Sequence, residues 1–111
     1  MKLTISKART IADIQRQFNE QFPLLKIEFY KESHEDGEGS GKEGIINPNT
    51  NLGELLGKID AVSFEFDWEI KVVELEDIFR QDFGLNVQVF RKSGNVWIQT
   101  TNTDHWTLRE E

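Results

Sequence analysis

The sequence predicts an α+β fold in which two helices cover one face of an antiparallel sheet. Three observations support this prediction: an internal repeat, two segments with apolar residues three or four positions apart, and four shorter segments with alternating apolar residues. The 111 residues suit a single domain, 1–111. Each half of the repeat is expected to fold as a strand, a helix and a strand.

The internal repeat appears when residues 2–22 are aligned with residues 63–83. After one residue of slippage at Pro23, residues 26–31 align with residues 86–91. Six pairs of large apolar residues coincide in this alignment. The aligned pairs are Leu3–Phe64, Ile5–Phe66, Ile11–Val72, Ile14–Leu75, Phe18–Phe79 and Phe22–Phe83.

The helices follow from this spacing together with their end signals. Thr10 can cap the first helix, and Asp13 stands three residues later, as in a capping box. Pro23 ends that helix, whereas Gly84 ends the second at a position suited to a left-handed cap. Lys71 aligns with Thr10 and is a poor N-cap, so we expect the second helix to begin less sharply.

Alternation predicts four strands, and a hairpin adds a fifth. Ser93-Gly94 would form the two-residue loop of that hairpin and lead into a strand over residues 96–100. With this turn, Phe90 would pair with Trp97 on the outer face of the sheet, away from the helices.

The predicted order of elements is βαββαβ with one extra strand, which is the plan of the ferredoxin-like sandwich. The spatial order would then be 5-4-1-3-2, and the main alternative is another pairing of the same strands. We divide the domain into repeat 1 (2–31), an insertion (32–60), repeat 2 with the hairpin (61–101) and a C-terminal tail (102–111). The insertion is expected to hold a mobile acidic loop and a short helix.

Composition narrows the classes of function. The formal net charge of −7 would repel a phosphate backbone, so nucleic acid is not an expected partner. Without cysteine, no disulfide or thiolate metal site can form. No signal peptide and no apolar run of about 18 residues is visible, so we expect a cytoplasmic protein without membrane contact.

The glycine-rich run around Gly41-Lys42 resembles a phosphate-binding loop but lacks its spacing. Three residues separate Gly37 from Gly41 where four are needed, and Glu43 replaces the required hydroxyl residue. We therefore expect no nucleotide here and no cofactor elsewhere.

Metal binding and catalysis are also not expected. His34, Glu35, Asp36 and Glu38 lack the spacing of a calcium loop, and nothing in the sequence brings His105 near them. No serine lies in a nucleophile context. The sequence thus predicts a non-catalytic protein.

The RRM family of RNA-binding domains shares the βαββαβ order, but the resemblance is one of architecture only. Such domains stack bases on aromatic residues of the central strands. Here those positions hold Thr4, Ser6, Glu65 and Asp67, which argues against RNA binding.

The outer face of the sheet offers the best candidate site. We expect Phe90, Trp97, Trp106 and Tyr30 to form an interaction surface for a protein partner or a second copy of the chain, with the edge strand of the sheet as a further contact. The tail could instead cover Phe90 and Trp97 itself. An alternative function is a small-molecule-binding protein or enzyme, with its pocket under the long loop or the tail.

The segments QVFRKSGNVWIQTTNTDHWTLREE (88–111) and TNLGELLG (50–57) resemble a small bacterial protein family. The resemblance covers mainly the last quarter of the chain. No activity is known for that family, so the resemblance implies no function.

Overall fold

The computed structural model describes residues 1–31, 44–57 and 61–111, with Ala61 and Val62 described by their backbone alone. These residues form an α+β fold of two α-helices and five strands in two antiparallel sheets. The elements are β1 (Lys2–Ser6), α1 (Ile11–Gln21), β2 (Leu25–Tyr30), a 3₁₀ turn (Leu52–Glu54), β3 (Ala61–Glu65), α2 (Val72–Phe83), β4 (Asn86–Ser93) and β5 (Val96–Gln99). No helix within the described ranges has the length and apolarity needed to cross a membrane.

The helix ends lie where the sequence predicts them. The Thr10 hydroxyl accepts a hydrogen bond from the Asp13 amide at 3.2 Å, and the Asp13 carboxylate accepts one from the Thr10 amide at 2.9 Å. The Thr10 backbone bond lowers the pKa of the Asp13 carboxyl. Lys71 gives α2 no side-chain cap, and Gly84 ends α2 with φ of 68°, as predicted.

The strand pairing corrects the predicted order. β1 pairs with β3, and β4 lies between β2 and β5. The predicted neighbours β1–β3 and β4–β5 are confirmed. β4 beside β1 and β2 beside β3 are not found, because β2 and β4 pair directly with each other. The element order is that of a ferredoxin-like sandwich, but the pairing within the described residues is different.

The pairing follows an approximate two-fold symmetry between the repeats. Leu3 lies opposite Phe64, and Glu28 lies opposite Gln88; in both pairs the partners are the residues that align in the sequence. Antiparallel pairing of equivalent residues requires a local two-fold axis through each pair. Each repeat thus supplies one strand to each of the two inter-repeat ladders.

The apolar faces of both sheets and both helices form one core. Phe18 and Phe79, which align in the repeat, are both fully buried. The Phe79 ring also meets the Phe29 ring edge-on, with 5.8 Å between their centroids. The interior therefore draws equally on the two repeats.

Each repeat also contains a segment outside the aligned strand–helix–strand unit. Residues 47–54 pack at the start of α1, and residues 103–110 pack in the same way at the start of α2. We call them the capping segments. Their backbone carbonyls accept hydrogen bonds from the first amides of each helix, which have no partner inside the helix. The bonds are Ile11 N to Thr50 O (3.1 Å), Ala12 N to Pro48 O (2.8 Å), Val72 N to Trp106 O (2.9 Å) and Val73 N to Asp104 O (2.7 Å).

Each capping segment is also anchored by one buried leucine. The Leu52 amide donates to the Arg9 carbonyl at 2.8 Å, and the Leu108 amide donates to the Ile70 carbonyl at 3.0 Å. Arg9 and Ile70 are again aligned residues. The C-terminal tail is therefore the second copy of a structural segment, and its leucine lies in the core.

The hairpin turn is shifted from its predicted position. Ser93 pairs with Val96, so the loop is Gly94-Asn95 instead of Ser93-Gly94. Gly94 has φ of 62°, which suits the first central residue of a type II′ turn. The predicted pairing of Phe90 with Trp97 is consequently wrong: Trp97 lies opposite Lys92. The slip is two residues, so Trp97 still shares a face with Phe90.

Candidate functional site

The structure brings together two of the four residues predicted to form an interaction surface. Phe90 and Trp97 lie on one face of the β2–β4–β5 sheet, and both are half-buried. The Lys26 ammonium lies 5.1 Å from each of their ring centroids. At these distances a cation is attracted to both rings. Lys26 thus partly covers the aromatic pair without any partner molecule.

Tyr30 does not join this surface, because its side chain is buried. Burial raises the pKa of its phenol to about 12, and the nearby Glu28 carboxylate adds to the shift. The hydroxyl is buried and has no hydrogen-bond partner among the described residues. Tyr30 also lines a hollow of about 200 Å³ together with Ile46, Leu55 and Asn86.

Trp106 lies at the start of α2, where its carbonyl caps the helix. The next residues continue along the loop before α2: the Arg109 amide donates to the Trp68 carbonyl, and the Arg109 guanidinium pairs with Glu69. Among the described rings, Trp106 contacts His105, and no ring contact joins it to Phe90 or Trp97. The tail therefore packs beside α2.

The free backbone edge of β2 is blocked by side chains of α1. The Gln15 amide donates to the Ile27 carbonyl at 2.8 Å, and the Asn19 amide donates to the Leu25 carbonyl at 2.8 Å. These carbonyls would otherwise be available to another strand. A strand cannot add here without displacing both amides.

The free edge of β1 is blocked in the same manner. Gln17 on α1 donates to the Lys2 carbonyl at 2.9 Å, and Arg9 donates to the Thr4 carbonyl at 2.8 Å. Arg9 also donates to the Gln17 side-chain oxygen at 2.9 Å, which holds the two blocking groups together. Both carbonyls of this edge are thus satisfied within the repeat.

Among the described residues, no side chain equivalent to Gln17 or Arg9 blocks the outer edge of β3. Ile78 aligns with Gln17, and Ile70 aligns with Arg9, so neither position can donate a hydrogen bond. Ser63 and Glu65 lie opposite Thr4 and Lys2 in the ladder, so their backbone groups point away from β1. The hydrogen bonds of the described ranges include none to these backbone groups on that side.

An acidic hollow lies next to this edge. It measures about 550 Å³, is open to solvent, and is lined by Met1, Glu65, Phe66, Asp67, Glu69, Ile70 and Glu74. Glu69 pairs with Arg109, and Asp67 accepts a hydrogen bond from the Glu69 amide at 2.8 Å. The Glu65 carboxylate forms no ion pair among the described residues and is exposed to solvent.

The described ranges contain no group of three or more histidine, aspartate or glutamate side chains that could hold a metal ion. The candidate residues of the glycine-rich loop, from His34 to Lys42, lie outside these ranges, and so does the predicted mobile loop up to Glu43. His105 is exposed, and its ring meets the Trp106 ring edge-to-face.

No family model, no curated protein and no solved structure matches the chain.

Sequence reasoning missed both the blocked edges and the open one. Their signal was present in the alignment, because polar Arg9 and Gln17 fall on apolar Ile70 and Ile78. Such an exchange between aligned positions marks a place where the two repeats do different work. It becomes interpretable only when the pairing shows that these side chains flank strand edges.

Proposed function

We propose that this protein is a protein-interaction module that binds an extended segment of a partner along the outer edge of β3. The observation that carries the proposal is the asymmetry between equivalent edges. Gln17 and Arg9 block the edge of β1, whereas the aligned Ile78 and Ile70 have no side-chain donor with which to block the edge of β3. Strand addition to an exposed edge is a common mode of peptide recognition.

The outer edge of β3 has the features that strand addition requires. Ser63 and Glu65 are exposed, and the backbone groups of both point outward. No proline interrupts the strand, and no bulge is present in its ladder with β1. Natural proteins usually protect such edges, as this one protects β1 and β2. An edge left open while its counterpart is blocked therefore favours a binding role.

The aromatic pair on the other sheet supports a smaller role in binding. Lys26 already contacts Phe90 and Trp97, which lowers the gain from covering them. Near the hairpin, however, Leu24, Val96 and Ile98 have 68%, 61% and 39% of their surface exposed. We assign this end of the sheet to secondary contacts with a protein partner. Nucleic acid and membrane are not partners in this proposal, and the expected setting is the cytoplasm.

The test uses a short neutral peptide of alternating threonine and valine, with blocked ends, titrated into ¹⁵N-labelled protein. If β3 accepts a strand, the amide signals of Ser63 and Glu65 shift in a saturable way. The matched variant Ile78→Gln restores the residue type that blocks β1 and should abolish the shifts. Shifts confined to other residues, or unchanged in Ile78→Gln, would contradict the proposal.

One observation favours the alternative, a small-molecule-binding protein. Tyr30 lines the hollow of about 200 Å³, and no group within residues 1–31, 44–57 and 61–111 forms a hydrogen bond with its buried hydroxyl. Buried polar groups normally have one, so a small polar molecule could supply it. The hollow is smaller than the roughly 300–1,000 Å³ of usual ligand sites. We therefore rank this function second; saturable binding of a small polar compound that Tyr30→Phe abolishes would reverse the ranking.

A further inference from the structure

We infer that the segment bound by β3 is basic on one face and apolar on the other, with lysine or arginine at alternate positions. This inference rests on the proposed strand addition and specifies its partner. The argument uses the side chains on the two faces of β3 and the charges around its edge.

If a partner segment added to β3, its solvent-facing side chains would lie next to the side chains of Ser63 and Glu65. Side chains in neighbouring strands stand about 4.5–5.5 Å apart when directly opposite, so they interact strongly across the ladder. Glu65 is exposed and has no ion pair among the described residues. A lysine or arginine opposite it would form a cross-strand pair, whereas a carboxylate there would be repelled.

The side chains on the other face of the partner segment would lie next to apolar side chains of this protein. Phe64 is half-buried, and its ring contacts the rings of Phe79 and Phe83 at centroid distances of 5.6 and 5.4 Å. Ile78 is also half-buried against the core. Because side chains alternate between the two faces of a strand, apolar residues of the partner would alternate with its basic ones.

The electrostatic field around the edge of β3 also favours a positively charged partner. Glu65, Asp67, Glu69 and Glu74 line the hollow beside the strand, and Arg109 neutralises only Glu69. The positive groups nearest to it are the Met1 ammonium, which donates to the Phe66 carbonyl, Lys2, opposite Glu65, and Lys71 before α2. Neither lysine forms an ion pair among the described residues. The chain as a whole carries −7. Such a field attracts a basic segment and speeds its association.

A second copy of this chain is the less favourable occupant. Pairing two β3 strands would bring together two chains of net charge −7 and two acidic hollows. Repulsion between like charges opposes that assembly, most strongly at low ionic strength. Charge complementarity therefore selects a basic partner.

The experiment compares three blocked heptapeptides by the same NMR titration: alternating lysine–valine, threonine–valine and glutamate–valine. At low salt we expect the basic peptide to bind at Ser63 and Glu65 about tenfold more tightly than the neutral one, the sum of several weak exposed charge pairs. The acidic peptide should bind more weakly than either. Raising the salt concentration should reduce the difference between basic and neutral peptides.

Two variants separate the inference from the function on which it rests. Glu65→Gln should reduce the preference for the basic peptide over the neutral one from about tenfold to about threefold. Ile78→Gln should abolish binding of all three peptides at β3. If its spectrum shows that it does not fold, Ser63→Pro replaces it, because proline removes the outward amide and is tolerated in edge strands.

The outcomes are distinguishable. Equal affinity for all three peptides at β3 would overturn the basic preference and leave strand addition standing. Binding of the basic peptide that survives both Ile78→Gln and Ser63→Pro would overturn the inference, because the peptide would then bind the acidic surface and not the edge. Absence of shifts at β3 with every peptide would overturn both proposals. Sedimentation of the free protein as a dimer that Ile78→Gln dissociates would identify a second copy as the occupant.

Discussion

Leu52 and Leu108 hold equivalent places in the two repeats, although the alignment of the strand–helix–strand units includes neither. Each is fully or almost fully buried, and each donates its amide to the carbonyl that precedes the corresponding helix cap. The capping segments to which they belong therefore complete the fold and are not loose connections.

This equivalence predicts similar costs for removing either leucine. Leu52→Ala and Leu108→Ala should each lower the free energy of unfolding by about 2–5 kcal/mol, because each leaves a cavity in the shared core. Leu24→Ala is the control, since 68% of Leu24 is exposed, and it should change stability by less than about 0.5 kcal/mol. Urea unfolding measures all three. A loss below about 1 kcal/mol for Leu108→Ala would show that the tail does not contribute to the core.

The different N-caps of the two helices predict different losses of stability when each cap residue is replaced by alanine. Thr10→Ala should cost about 1 kcal/mol, because it removes the side-chain acceptor of the Asp13 amide. Lys71→Ala should cost much less, because Lys71 supplies no such acceptor to α2. The measurement is the urea midpoint of each variant. Equal losses in the two variants would contradict the assignment of different cap functions.

Tyr30 predicts a loss of stability in alkali. The pKa of its phenol is about 12 in the folded protein and 10.0 when unperturbed, so the unfolded chain releases the proton first as pH rises. The contribution of the protonated Tyr30 phenol to the free energy of unfolding is fully present below about pH 10 and is lost as pH rises toward about 12. Because Tyr30 is the only tyrosine, tyrosinate absorbance follows its ionisation directly.

Tyr30→Phe supplies the control for that effect. The variant lacks the ionisable group, so its stability should fall less steeply than that of the wild type between about pH 10 and 12. At neutral pH it should be as stable as the wild type or more stable by up to about 1 kcal/mol, because it removes a buried hydroxyl that has no hydrogen-bond partner in the described part of the chain. An ordinary tyrosinate titration near pH 10 in the folded protein would contradict both expectations.

Phe18 and Phe79 test the repeat itself. They align in the sequence and are both fully buried, so truncating either to alanine should cost about 3–5 kcal/mol. Thermal or urea unfolding measures the loss. A cost below about 1 kcal/mol at one site would mean that the two repeats do not contribute equally to the core.

The sequence was sufficient to predict the elements but not their neighbours. Periodicity located both helices and four strands, and the hairpin signal located the fifth strand although its turn is shifted. The Thr10 and Gly84 signals set helix ends correctly. Alternation reports which face of a strand is buried, and it does not report which strand lies beside it. The direct pairing of Glu28 with Gln88 could therefore not be read from the pattern.

The candidate surface was predicted only in part for a similar reason. Phe90 and Trp97 share a face because a two-residue slip in the hairpin preserves the alternation of side chains. Tyr30 has the outward parity of its strand but is buried, and Gly44 lies near its ring, with 3.5 Å between an added Cβ and the Tyr30 Cδ2. Contacts from a segment distant in sequence cannot be inferred from the local pattern of one strand.

The two-fold arrangement also has a consequence for how the chain folds as it leaves the ribosome. Lys2 pairs with Glu65, and Leu25 pairs with Arg91, so the partners in both ladders are more than half the chain apart. The β1–β3 ladder therefore cannot be completed until Glu65 has emerged, and the β2–β4 ladder cannot be completed until Arg91 has emerged. Closing loops of this length before any ladder forms is entropically costly, so folding should be slow for a chain of this size and cooperative across both repeats. During that interval β1 and β2 have no partner strand. The side-chain amides of Gln15, Gln17 and Asn19 on α1 can donate to carbonyls of these strands and so protect them from pairing with other nascent chains.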